Sequence, residues 1–232
     1  MPRPVAARGG ATVMRYPRPR FPRFRSLARP MTDTQTLSLF PLHAVLLPGA
    51  ALGLRVFEPR YLDLLRECGR HGSTFGICLI LDGEEVGAPA TPAAWGVEAL
   101  VEDFDVGADG VLQLRLRGGR RFHVARTRVR DDGLVVGEIH WREPDHDDEL
   151  RPEHALLGLL LERILEQAGG EFAGAGPAQL DQAAWVGWRL AELLPLDEAQ
   201  RLVLLQEDDP HRRLEQLLTW IPDFEPPPES DL

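Results

Sequence analysis

The pattern of apolar, turn-forming and charged residues changes three times within residues 39–61, LFPLHAVLLPGAALGLRVFEPRY. Two apolar runs are separated by the Pro-Gly pair at residues 48–49, which breaks regular structure. Within residues 52–56 apolar side chains alternate with Gly and Arg, which is the period of a half-buried strand. Glu58 and Pro59 follow, and a carboxylate and a proline at this point favour the start of a helix. The stretch therefore predicts strand, turn, strand and helix in succession.

Further strands are predicted on the C-terminal side of this stretch. Residues 74–81 form a continuous apolar run typical of a central strand. Residues 111–130 predict a hairpin that turns at Gly118 and Gly119. In the second arm of this hairpin the apolar positions change phase, which predicts a bulge near Ala125. The other two predicted strands are residues 95–104 and 133–141.

The second half of the chain has a helical period instead. Residues 142–151 are acidic and polar and are typical of a linker, after which apolar residues recur at helical spacing. Asp197 with Gln200 forms a capping-box pattern, and Asp209 before Pro210 marks another helix start. Three or four helices are expected here.

These patterns predict an α+β fold class with three segments. The three segments are a leader over residues 1–30, a β domain of about six or seven strands and one helix over 31–145, and a helical domain over 146–232. The leader holds eight arginines and no acid, and we expect it to be disordered. One interpretation is a basic arm or a targeting peptide. The other is that translation starts at Met31 and that residues 1–30 are upstream sequence, and the Arg/Pro/Ala/Gly bias of the segment favours this second interpretation.

The composition excludes several kinds of catalytic site. All 26 basic residues are arginine and the chain has no lysine, so it has no Schiff-base lysine, phosphate-loop lysine or Ser-Lys dyad. Cys68 and Cys78 make no disulfide framework, which favours a reducing cytoplasm. From Met31 onward 18 basic residues face 36 acidic ones, a charge of −18 that repels nucleic acid and acidic membranes. We expect a cytoplasmic, non-enzymatic protein without a cofactor.

Two charged clusters are candidates for ligand binding. The first runs from His140 to His154, but its spacing fits neither zinc nor calcium motifs, so we expect a solvated linker and no metal. The second lies within residues 115–130, which hold seven arginines and no acid. Its candidate anion or RNA contacts are Arg115, Arg117, Arg120 and Arg121. The alternative is a hairpin whose arginines pair with acids on neighbouring strands.

The opening motif and several later ones resemble a known family, the Lon protease N-terminal domain, also called the Lon substrate-binding domain. The resemblance covers about residues 37–220 and implies a PUA-like β-barrel followed by a helical bundle. It also implies a stand-alone Lon-N-like protein without the ATPase and protease modules. The motifs that carry it are LFPL at 39–42, PG at 48–49, VFEPRY at 56–61, FG at 75–76, EVG at 85–87 and G-x-RRF at 118–122.

This resemblance implies a non-catalytic polypeptide-binding module, a proteolysis or protein quality-control accessory. The implied partners are unfolded or apolar polypeptide segments, a protease or ATPase, and further copies of the chain. Peptide contact is expected at the strand-to-helix corner, with Arg60 and Tyr61 partly exposed, or by β-addition at an open edge strand. The structural alternative is that the motif only holds the corner together. RNA binding through residues 115–130 is the alternative function, since PUA-like barrels also bind RNA. The candidate peptide-binding residues are Phe57, Glu58, Arg60, Tyr61 and Phe75.

Overall fold

The computed structural model describes residues 34–146, 148–168 and 175–221, so the predicted leader lies outside the described residues. The strands are β1 (Gln35–Leu42), β2 (Ala51–Val56), β3 (Phe75–Asp82), β4 (Thr91–Val106), β5 (Leu112–Val129) and β6 (Val135–Trp141). The helices are α1 (Pro59–His71), α2 (Ala155–Ala168), α3 (Pro177–Leu180), α4 (Ala183–Leu193), α5 (Glu198–Gln206) and α6 (Pro210–Trp220). A short 3-10 turn, Pro152–His154, precedes α2.

The strands close into a ring because β5 is long enough to pair with three neighbours. Its first half pairs with β2, its second half with β6, and β4 runs beside most of it. β6 pairs with β1, β1 pairs in parallel with β3, and β3 returns to β4. This ring of strands, followed by helices, confirms the predicted α+β fold class.

The predicted hairpin turn at Gly118 and Gly119 is wrong, because both glycines lie inside the continuous strand β5. The turn falls instead at residues 107–111, between β4 and β5. Gly118 allows the backbone of β5 to approach the loop between β1 and β2 closely. Its N–H donates to the carbonyl of Ala50 at 2.9 Å, and a Cβ at this position would lie 2.0 Å from the carbonyl oxygen of Leu47.

The bulge predicted near Ala125 is confirmed. The register of β5 against β6 shifts between Val124 and Arg126, as the change of apolar phase indicated. The apolar run at residues 45–47 was expected to continue the first strand, but it is a loop between β1 and β2.

Helix α1 begins where the sequence predicts. Glu58 is its N-cap residue and Pro59 its first residue, and Gly72 ends it in the left-handed region at φ 62°. Cys68 on this helix and Cys78 on β3 are both buried, and burial raises the pKa of each thiol. Neither cysteine is therefore a thiolate nucleophile near neutral pH.

The helical half is held by its caps and by a core that it shares with the ring. Asp197 accepts a hydrogen bond from the N–H of Gln200 at 2.7 Å, and Asp209 accepts from the N–H of His211 at 2.8 Å, both at predicted helix starts. Helix α4 packs against α6, and their buried residues join the same cluster as those of the strands. None of the described helices has the length and apolar character needed to cross a bilayer.

A buried histidine pair joins the 3-10 turn to α6. The Nδ1 atoms of His154 and His211 are 3.4 Å apart, and both residues are buried. Burial, followed by the nearby His211, lowers the pKa of His154. The charged groups that act on His154 besides His211 are Arg151, Glu153 and Glu215.

Substituting Gly118→Ala should lower the free energy of unfolding by about 1–3 kcal/mol, because the added Cβ forces the loop between β1 and β2 away from β5. The matched control is Gly53→Ala on the adjacent strand β2, where a Cβ would meet nothing within 4 Å. Urea unfolding of both variants measures the difference. Equal unfolding midpoints for the two variants would contradict the close approach at Gly118.

Acid should destabilise the fold through His154. Its pKa is lower in the folded chain than the unfolded value of about 6.5, so the unfolded chain binds the proton first as the pH falls. The free energy of unfolding should therefore decrease from about pH 6.5 down to the lowered pKa. Urea unfolding at a series of pH values measures this slope. The slope should be smaller in His154→Gln, and an unchanged slope would show that the histidine pair is not its source.

Candidate functional site

A cleft of about 930 Å³ opens between the ring of strands and the helical half. The start of β1 and the segment that follows α1 contribute to its lining, as do the segment after β6 and helix α4. Most of its lining residues come from stretches 35–38, 72–74, 119–121, 141–145 and 182–188, and Pro48, Glu98 and Leu100 complete the lining.

The carboxylate of Asp145 connects the parts of the molecule that meet at this cleft. It accepts hydrogen bonds from Nη2 of Arg121 at 2.9 Å, Nη1 of Arg213 at 2.8 Å and Nε1 of Trp188 at 2.7 Å. These partners belong to β5, α6 and α4, whereas Asp145 lies in the segment that leads from the strands to the helices. One buried side chain therefore ties the ring to two helices.

This Asp145 cluster (Asp145, Arg121, Arg213 and Trp188) holds two cations around one anion. Both arginines also donate to the carbonyl oxygen of Glu207, at 2.9 and 2.7 Å, and Cζ of Arg213 lies 3.5 Å from the centre of the Trp188 ring. Burial lowers the pKa of both guanidinium groups, and Asp145 acts on each in the opposite direction. Asp145 is therefore the carboxylate that compensates both buried guanidinium groups, and Arg121 also contacts the carboxylate of Asp208 at 3.2 Å.

Arg120 is fixed in the wall of the cleft. Its Nε donates to Glu98 at 3.1 Å, and its Cζ lies 3.9 Å from the centre of the Trp141 ring. Glu98 also accepts from the hydroxyl of Thr74 at 2.8 Å, and Nε1 of Trp141 donates to the side-chain oxygen of Gln35 at 2.7 Å. The ion pair and the stack orient the guanidinium, of which a substantial part stays accessible: the Arg120 side chain is 40% exposed.

Aromatic surface and balanced charge characterise the cleft. Three of the five tryptophans of the chain line it, namely Trp141, Trp185 and Trp188. Its charged lining residues are Glu98, Glu143 and Asp145 against Arg120, Arg121 and Arg142. The cleft is thus locally neutral in a strongly acidic body. Apolar walls with a few placed polar groups are typical of ligand-binding sites.

The corner predicted to bind peptide lies outside this cleft, and its aromatic residues are mostly buried. Tyr61 stacks on Phe40 with ring centres 3.7 Å apart, and Phe75 is fully buried against the same ring. Phe57 is 57% exposed. The expectation that Tyr61 is partly exposed is wrong, because the Phe40 ring covers it.

The charged residues of the corner are also engaged. Arg60 is 7% exposed, pairs with the carboxylate of Glu58 at 3.0 Å and donates to the carbonyl of Gly133 at 3.2 Å. The expected exposure of Arg60 is therefore wrong, and the Glu58 side chain makes no cap hydrogen bond to the helix. Peptide contact at the five corner residues stays a prediction. The contacts of Glu58, Arg60, Tyr61 and Phe75 agree with the alternative interpretation, in which the motif only holds the strand-to-helix corner together.

The four arginines proposed to bind anions or RNA all have acidic partners. Arg115 and Arg117 contact Glu102 on β4 at 3.3 and 2.8 Å. Arg120 and Arg121 are held by carboxylates at the cleft. The pairs of Arg115, Arg117 and Arg120 agree with the alternative interpretation, in which arginines pair with acids on neighbouring strands, because Glu98 and Glu102 lie on β4. Arg121 pairs with Asp145, which lies outside the strands. RNA binding by this patch stays a prediction that no described contact favours.

The acidic cluster between His140 and His154 is dispersed. Within the described part of the chain, no three His, Cys, Asp or Glu side chains are placed to hold a metal ion. Asp147 of this cluster lies outside the described residues. Asp145 belongs to the arginine cluster and His154 to the histidine pair.

The cleft could not be predicted from the sequence because its lining residues are far apart in the chain. Trp141 ends a strand, whereas Trp185 and Trp188 lie on α4 more than forty positions later. One signal was available: Trp185 and Trp188 are three positions apart on a helix, so they lie on neighbouring parts of its surface.

The ring of strands, the helical half and the aromatic cleft between them define a binding domain of the α+β class. The family model described as the ATP-dependent protease La (LON) substrate-binding domain matches residues 36–223. The chain therefore belongs to the Lon substrate-binding domain family, as the motifs of the opening stretch indicated.

Two solved structures are similar to this chain. The first is a Lon N-terminal domain protein from Xanthomonas campestris, with 68% sequence identity and a TM-score of 0.71 over 81% of this chain and 99% of that one. The second is the N-terminal domain of Mycobacterium avium complex Lon protease, with 17% identity and a TM-score of 0.60 over 82% of this chain and 100% of that one. The second likeness shows a shared fold.

Substituting Asp145→Asn should lower the free energy of unfolding by about 3–5 kcal/mol, because it leaves the fully buried Arg213 without a carboxylate partner and Arg121 with only the partly exposed Asp208. The control is Glu143→Gln, an exposed residue of the same cleft, with an expected change within about 0.5 kcal/mol. Urea unfolding measures both. A similar small loss in the two variants would show that the Asp145 cluster does not hold the halves together.

Proposed function

We propose that this chain is a non-catalytic polypeptide-binding module and that the aromatic cleft is where the polypeptide binds. The single observation that carries the proposal is the concentration of three tryptophans in the lining of one locally neutral cleft, where Trp141 and Trp185 are partly exposed and Trp188 is buried. Tryptophan buries a large apolar area at low conformational cost and is enriched among residues that dominate binding energy.

The chemistry of the cleft fits a polypeptide better than an ionic ligand. Its carboxylates and guanidinium groups are equal in number, and the buried ones are already paired, so a phosphate backbone gains little there. A polypeptide segment supplies apolar side chains for the indole rings and carbonyl groups for the accessible guanidinium edge of Arg120. The family's description as a substrate-binding domain supports the same class of ligand.

The proposed setting is protein quality control in the cytoplasm. In this role the chain captures unfolded or apolar segments and passes them to a separate protease or ATPase, and self-association would raise its avidity for long unfolded chains. Such a protease or ATPase needs a Ser-Lys dyad or a phosphate-loop lysine. The sequence of this chain contains no lysine, so in this role those activities belong to the partner.

Binding of an unfolded protein tests the proposal. The probe is a reduced and carbamidomethylated protein that cannot refold, fluorescently labelled, with its native disulfide-bonded form as the control. Fluorescence anisotropy should rise with the unfolded form alone. No binding of the unfolded form, or equal binding of both forms, would contradict the proposed function.

The cleft itself is tested by exchanging one tryptophan at a time. Trp185→Ala should weaken binding about tenfold or more, because it removes an indole ring from the wall. Trp220→Ala is the matched control, since this tryptophan does not line the cleft. Circular dichroism shows that each variant is folded. Equal losses in the two variants would place the binding surface elsewhere.

A further inference from the structure

We infer that the polypeptide enters the cleft as an added β-strand on the first residues of β1. This inference rests on the proposed function and specifies its substrate class. The ligand is an extended chain recognised through its main-chain N–H and C=O groups, with apolar side chains at alternate positions.

The pairing of β1 changes along its length. Gln35–Leu39 pair with β6, whereas only Leu39–Leu42 pair with β3 on the other side. Residues 35–38 therefore have a strand on one side only, within the described part of the chain. A strand paired on one side directs the N–H and C=O of every second residue away from its partner. Two of these four residues thus present main-chain donors and acceptors at an open edge.

The chain that precedes β3 leaves this edge open because it is tied to other elements. The N–H of Ser73 donates to the carbonyl of Cys68 on α1 at 3.2 Å. The hydroxyl of Thr74 donates to Glu98 on β4 at 2.8 Å. Parallel pairing with β1 starts only at Gly76, opposite Leu39. Both residues 35–38 and residues 72–74 line the cleft, so the edge of β1 faces the proposed binding site.

The charge of the cleft favours a neutral main chain as the occupant. The cleft carries equal numbers of acidic and basic lining residues, and its buried carboxylates already accept hydrogen bonds from arginine. Placing an extended chain in such a site requires partners for its N–H and C=O groups, because an unpaired buried amide is costly. The open edge of β1 supplies donors and acceptors at strand spacing.

The side chains of an added strand would alternate between two directions. Every second one would point to the side of the cleft that carries the indole rings, and the intervening ones would point away. The inferred ligand therefore has apolar residues at alternate positions. Proline is excluded wherever the ligand N–H must donate to β1.

N-methylated peptides test this mode of binding with the unaltered protein. The parent probe is a fluorescent peptide of alternating serine and valine with an arginine at each end. Two variants carry N-methyl groups on alternate amides, one for each set of residues. Methylation removes the donor and blocks the edge without changing the side chains. One variant should bind at least tenfold more weakly than the parent, and the other should bind like the parent.

The outcomes separate this inference from the proposed function. If the parent and both variants bind equally, the polypeptide-binding function stands and the added-strand mode is wrong. If both variants lose affinity equally, the expected one-sided pattern fails and the mode is wrong as well. If the parent does not bind while unfolded protein does, the inferred alternating pattern is wrong. If neither binds, both proposals fall.

Discussion

The burial of one carboxylate among two guanidinium groups is the constraint on which the arrangement of this molecule depends. Asp145 lies where the chain passes from strands to helices, and its partners Arg121 and Arg213 come from opposite sides of that passage. Without it the fully buried Arg213 would have no carboxylate partner, and an uncompensated charge in the interior costs several kcal/mol. This cluster, together with the core that the ring and the helices share, fixes the position of the helices relative to the ring and hence the shape of the cleft.

The same cluster limits which groups of the cleft are accessible to a ligand. The most buried charges, those of Asp145, Arg121 and Arg213, form ion pairs with one another. In the wall of the cleft, Glu98 and Arg120 form a second ion pair. What remains accessible is indole surface, part of one oriented guanidinium group and the edge of β1. In the proposed function these groups bind apolar side chains and main-chain groups of an unfolded polypeptide.

The fold could be predicted from the sequence to a large extent, and the cleft could not. Alternating apolar residues, the capping patterns at Asp197 and Asp209 and the phase change near Ala125 are local signals, and each predicted its element. The turn at Gly118 was mispredicted because a glycine pair that permits a close approach has the same sequence as one that permits a turn. Arg60 and Tyr61 appeared accessible because nothing local shows that the rings and carbonyls covering them come from distant segments. The cleft depends on residues brought together only by tertiary packing.

Hydrogen exchange with a bound unfolded polypeptide tests the central claim most directly. Exchange of each amide is followed by mass spectrometry with and without a saturating, non-refolding protein. The account predicts slower exchange in residues 35–38 and in the cleft segments at 141–145 and 182–188, with no change in residues 57–61. Slower exchange confined to residues 57–61, or no slowing in any cleft segment under saturating conditions, would contradict it.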